Sequence, residues 1–205
     1  MMSPVTRRLS PFNFDCLERI SSVRFLLTPA LCGLCRWRSA KNFSNKKTSP
    51  LSKQIIYSIH RNDLKTAEIG VKQINSKISL LDKNKNYDTG ISDVAFQEFV
   101  EAIVFYEVVK NKRFPALKEL RVTPETYLSG LADLTGELGR KAVHDAIAGN
   151  FDSVSKIKEL VEDIHGEFLK FDLRNGELRK KSDSIKWNLN KLEDLVFSLK
   201  VGSRK

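Results

Sequence analysis

Apolar residues recur along most of this chain at steps of three and four. Ile56, Ile59, Ala67, Val71, Ile74, Ile78 and Leu81 form one such series. Val154, Ile157, Val161, Ile164, Phe168 and Phe171 form a second, and Leu178, Ile185, Leu189, Leu192, Val196 and Leu199 a third. That spacing keeps one stripe on one face of a helix. Strand-type alternation is sustained nowhere, so the pattern predicts an all-α fold of long antiparallel helices with short connections. Local signals place the ends. Thr123-Pro124 reads as an N-cap and first-turn proline, Gly149 as a C-terminal stop, and Asp152 as the cap of the next helix. Asn84 to Gly90, NKNYDTG, is a loop by composition. The final helix, from about Gly176 to Val201, alternates charges around an apolar seam, which suits a partner helix or an intramolecular bundle equally.

One helix departs from the amphipathic rule. FQEFVEAIVFYEV, from Phe96, is apolar nearly all round, as a buried helix is. Yet Glu98 and Glu101 sit inside it, about 60° apart around the axis. A carboxylate placed among apolar groups needs a partner, a proton or a metal. A second acidic pair, Asp133 and Glu137 in ADLTGEL, lies about 40° apart and flanks the stripe Tyr127, Leu131, Leu134 and Leu138. Two helices presenting two carboxylates each can build an all-oxygen cage, which selects Mg²⁺ or Mn²⁺. The competing reading is four surface charges, or ion pairs with Arg140, Lys141 or Arg121. His144, eleven residues after Asp133, falls on nearly the same face and is a possible proton shuttle; His60 and His165 show no convincing partner in the sequence.

Composition modifies this picture mainly at the N-terminus. The 205 residues carry a net charge of +10, but residues 1–47 hold nine basic groups against two acidic ones, so +7 of it lies there. That segment is rich in Arg and Ser and reads as a transit peptide or a disordered basic leader, which gives a mitochondrial expectation. Its apolar patch, Phe25 to Leu34, is too short to span a bilayer, and no membrane association is expected. Cys16, Cys32 and Cys35, the only cysteines, all fall in it, leaving residues 48–205 as a helical domain without disulfides. A basic and aromatic cluster, LRKKSDSIKWNLNK, contains Arg179, Lys180, Lys181, Lys186, Lys191 and Trp187, with Arg174 just before it. Such a mixture can grip single-stranded nucleic acid through phosphates and stacking, or be a solvated helix face. Neither a glycine-rich phosphate loop nor a Ser/His/Asp arrangement occurs.

Several stretches resemble a known family. LRVTPETYLSGLADLTGELGRKAV resembles the translin family, particularly its TRAX branch. NGELRKKSDSIKWNLNKLEDLVFSLKV resembles the family's C-terminal helix, FQEFVEAIVF its first acidic helix, and SKQIIYSIHR, more weakly, its first long helix. The resemblance covers about residues 50–201. It implies a helical bundle that assembles into hollow octamers, by self-association or as a hetero-octamer with a translin-type subunit, and that binds single-stranded RNA or DNA. TRAX-type subunits are Mg²⁺-dependent endoribonucleases. Position by position, the resemblance assigns metal binding and catalysis to Glu98, Glu101, Asp133 and Glu137. Asp133, which translin proper lacks, points to the catalytic type. A non-catalytic binding module is the alternative. Nucleic-acid contacts are expected from Arg140, Arg179, Lys180, Lys181 and Lys186, and from the wider family a cytoplasmic or nuclear location would follow instead.

Overall fold

The structure, a computed structural model, describes residues 49–84, 90–174 and 176–202. The leader and most of the Asn84–Gly90 loop lie outside these. Among the described residues every regular element is helical: α1 (Ser49–His60), α2 (Leu64–Asn84), α3 (Gly90–Asn111), the single turn α4 (Leu117–Leu120), α5 (Pro124–Ile147), α6 (Phe151–Phe168) and α7 (Glu177–Gly202). None is long and apolar enough to cross a membrane.

The all-α expectation is met, with local adjustments. The first apolar series is two helices rather than one. Asn62 takes a left-handed conformation at φ 59°, which breaks the ladder, and Asp63 Oδ1 then accepts the Thr66 amide at 3.1 Å to start α2. At α5, Thr123 caps as expected, its hydroxyl accepting the Thr126 amide at 3.2 Å with Pro124 behind it. Gly149 follows the end of that helix at φ 78°, where a side chain would be strained. Asp152 is not the next cap. Asn150 holds that position, and Asp152 lies in the first turn of α6, where its charge still suits the helix dipole.

The core follows the stripes. Ile55 and Ile59 of α1, Phe99 to Phe105 of α3 except Glu101, Leu131, Leu134 and Leu138 of α5, Val161 and Ile164 of α6, and Ile185 of α7 are buried together. Each such side chain contributes about 1.5–3 kcal/mol through the water it sheds. The middle of the α7 seam, Ile185, Leu189 and Leu192, is buried within the chain by packing on α5 and α6, while Leu178, Val196 and Leu199 stay partly exposed.

Helix direction, more than layering, decides which side chains meet. Between α3 and α5 residues 112–123 run back along α3, and Tyr127 Oη ties the crossover down by donating to Pro115 O at 2.9 Å. Consequently α1, α3, α5 and α7 all run the same way. Lys53 lies against Glu98, and His60 against Phe105. Gly130 lies against Gln97 and Val100, and Asn188 against Thr135. Four parallel helices therefore bring residues from one level into a single belt.

Candidate metal and nucleic-acid site

The belt is where the acids meet. At its base α3 and α5 approach so closely that a Cβ on Gly130 would stand 2.6 Å from Val100 Cγ1 and 3.0 Å from Gln97 O. Only glycine permits that approach. One turn further along each helix come Glu101 and Asp133, so the tight contact sets the carboxylates facing.

Electrostatics agree with the facing. The Glu101 carboxyl is pushed up from 4.5 to about 8 by burial first, then by the charges of Asp133, Glu137 and Glu98, with Lys181 opposing. All four sequence-predicted acids thus stand near enough for the other three to act on Glu101. Among the described residues Glu101 makes no hydrogen bond or ion pair. Glu98 Oε2 is buried without a partner, while its other oxygen has only Lys53 Nζ, at 3.7 Å.

Two of the remaining oxygens, Glu137 Oε2 and Asp133 Oδ2, face histidine and lysine side chains from the flanking helices. His60 of α1, 3% exposed, hydrogen-bonds through Nε2 to Glu137 Oε2. That bond is the leading reason the Glu137 carboxyl is held below its ordinary range, with burial opposing and Arg140 assisting. His60 thus has a partner after all, on a helix 77 residues away. Lys181 of α7 donates to Asp133 Oδ2 at 2.5 Å and to Gln97 Oε1 at 3.1 Å. Asn188, two turns on, donates to Thr135 Oγ1 at 2.9 Å and fixes α7 against α5. Among the described residues no three Asp, Glu, His or Cys side chains stand grouped so as to hold a metal ion. In kind the donors fit a hard dication: four carboxylates, one bearing an orphaned buried oxygen and one short of positive charge.

The other expected residues separate into two groups. Arg140 is exposed, 3.9 Å from Glu137 Oε2. Lys141 pairs with Asp145 at 3.0 Å, away from the acids. His144 sits with its ring 5.7 Å from that of His60. On α7, Arg179 pairs with Asp183 and Lys180 with Glu177. Lys186 is exposed with no ion pair among the described residues, and Trp187 is 70% exposed beside it. Lys181 leaves this outer face. It lies on the inward side with Ile185 and Leu189, four and eight residues on, and that spacing was its signal in the sequence.

The sequence that builds this helical bundle and its partly buried carboxylates matches one family. The Translin family profile covers residues 38–203, and the chain belongs to the translin family. Translin of Gallus gallus is 34% identical over 38% of this chain and 34% of its own length. An uncharacterised protein of Methanocaldococcus jannaschii is 30% identical over 67% of this chain and 64% of its own. Translin-associated protein X of Pongo abelii is 28% identical over 51% and 48%. The matches thus span from a third to under two thirds of these relatives. Among solved structures, apo-NeC3PO superposes with a TM-score of 0.68 at 27% identity, covering 93% of this chain and 98% of that one. The AfC3PO complex with duplex RNA gives 0.69 at 25%, covering 92% and 94%.

Proposed function

We propose that this chain is a nucleic-acid-binding subunit of a translin/TRAX-type assembly and a Mg²⁺-dependent endoribonuclease. The observation that carries the reading is Glu101, a largely buried carboxyl raised to about 8 in part by three further carboxylates from two helices. Such crowding is costly in a purely structural ion-pair network and is relieved by a cation. Glu98, Glu101, Asp133 and Glu137 would hold Mg²⁺, or Mn²⁺ in its place. Bound there, the ion would acidify a water and offset charge on a phosphodiester.

The chain's own groups do the rest. His60 orients Glu137, and Gly130 sets the α3–α5 distance. A carboxylate oxygen not committed to the ion, such as one of Glu98, can accept a proton. Arg140, exposed at the rim, can pair with a substrate phosphate. Arg179, Lys180 and Lys186 line the ridge with Trp187, whose exposed ring offers a stacking surface. The family resemblance and the relative solved with duplex RNA support RNA as ligand, within a hollow octamer built by self-association or with a translin-type subunit. The basic leader supports mitochondrial import, against the cytoplasmic or nuclear alternative.

A second reading has one observation in its favour. Glu98, Asp133 and Glu137 each already face Lys53, Lys181 or His60, as the acids of a non-catalytic binding module would. Labelled single-stranded and duplex RNA, incubated with the full chain in Mg²⁺, in EDTA, and in Mg²⁺ with Asp133→Asn, separate the two. Cleavage of RNA by the wild type in Mg²⁺ alone, with binding and subunit mass kept in the variant, is the expected result. Wild-type cleavage by Asp133→Asn would remove the metal assignment, and binding without cleavage in every arm would favour the binding module.

A further inference from the structure

Four side chains supply positive or hydrogen-bonding groups to the acids, and they are not equivalent; Arg140 is exposed and reaches Glu137 only at 3.9 Å. His60 is enclosed, at 3% exposure. Lys53 is largely in solvent and reaches Glu98 only at 3.7 Å. Lys181 alone combines a tight pair, 2.5 Å to Asp133, with a partly open position, at 24% exposure. Its second acceptor, Gln97 Oε1, is neutral, so Asp133 is the one carboxylate it is shown to pair with, while Glu101 and Glu177 feel its charge from further off. Its four-carbon stem is flexible, and α7 carries it on the helix that also bears the outer basic ridge.

We propose that Lys181 is a tethered counter-ion, holding Asp133 until a divalent cation takes that oxygen and then turning to a phosphate of the bound nucleic acid. The inference rests on the metal reading of the acid cluster. An oxygen cannot comfortably serve both partners. A dication at about 2.1 Å and an ammonium on the same oxygen would stand within about 4 Å of each other, where their repulsion far exceeds thermal energy even at an effective dielectric constant of about 20. Released, the ammonium keeps Gln97 as a neutral anchor and becomes available beside the ion, where a phosphate carries the complementary charge. Lys181 would then couple the two ligands: the metal frees a phosphate-binding group, and the nucleic acid in turn favours the metal-bound arrangement by the same factor.

The experiment follows Mn²⁺ binding by the electron paramagnetic resonance of the free ion, using full-length wild type, Lys181→Met and Asp133→Asn. Fluorescein-labelled oligothymidylate binding is then measured in EDTA and in Mn²⁺. Lys181→Met is expected to bind Mn²⁺ about tenfold tighter or more, since a competitor and a repelling charge are both removed. Mn²⁺ should raise oligothymidylate affinity in the wild type and lose that effect in the variant. Lys181→Gln, which keeps hydrogen bonding without charge, serves if the Met variant does not fold and carries the same expectation. Unchanged or weaker Mn²⁺ binding by the uncharged variants, with the wild type binding and Asp133→Asn not, would overturn the counter-ion role and leave the metal site standing. No Mn²⁺ binding by the wild type would overturn both.

Discussion

Replacing Glu101 by Gln should stabilise the metal-free protein, and increasingly so as pH rises. The native Glu101 carboxyl titrates near 8 against an ordinary value of 4.5. Between those values the native state holds a proton that the unfolded chain has released, so stability falls as pH increases. At about 1.4 kcal/mol per pH unit, the full interval corresponds to about 5 kcal/mol. Residual water contact around the carboxyl screens the neighbouring charges, and halving for it leaves about 2 kcal/mol. Gln has the same shape and no proton to lose. The difference between variant and wild type should be close to zero at pH 5 and reach about 2 kcal/mol in the variant's favour at pH 8. Urea unfolding in EDTA at several pH values measures it, and taking the difference cancels the titrating groups that do not interact with Glu101. Adding Mg²⁺ at pH 8 should reverse the order, because the ion would stabilise the native wild type and not a site lacking one carboxylate. A difference that stays flat with pH would refute the account of Glu101 as a crowded, buried acid.

Gly130→Ala should cost about 1–3 kcal/mol by overpacking against Val100, whereas Gly139→Ala, which meets nothing within 4 Å, should be neutral or stabilising; thermal unfolding of the pair distinguishes close approach from a general effect of helix glycines. Thr123→Ala removes the α5 cap and should lower stability by about 1 kcal/mol in a denaturant titration. Lys186→Ala should weaken oligonucleotide binding and reduce the slope of log affinity against log salt by about 1, while Lys191→Ala, outside the proposed contact set, should change the slope less.

Most of the helical frame was legible because it is local. The three- and four-residue spacing, the Thr123-Pro124 start and the glycine stop each act within one or two turns, and each is found in the structure. The same holds for the two acidic pairs, since their separation around a helix follows from spacing alone. The turn at Asn62-Asp63 carried a local signal too, two residue types that favour turns, but the apolar stripe continues through it and hid the break. What the sequence could not show is register between helices. The crossover at residues 112–123 makes α1, α3, α5 and α7 parallel, and only then does His60 meet Glu137 and Lys181 meet Asp133. Lys181 illustrates the point best. Composition grouped it with Arg179, Lys180 and Lys186 as a solvated basic run, yet its place on the stripe of Ile185 and Leu189 turns it inward. A lysine in an apolar stripe poses the same question as two glutamates in an apolar helix. Lys181 is answered by Asp133 and Glu98 by Lys53, whereas Glu101 finds no such pair among the described residues, so unexplained charges on inward faces are best read as a set and matched by sign before any one of them is assigned to solvent.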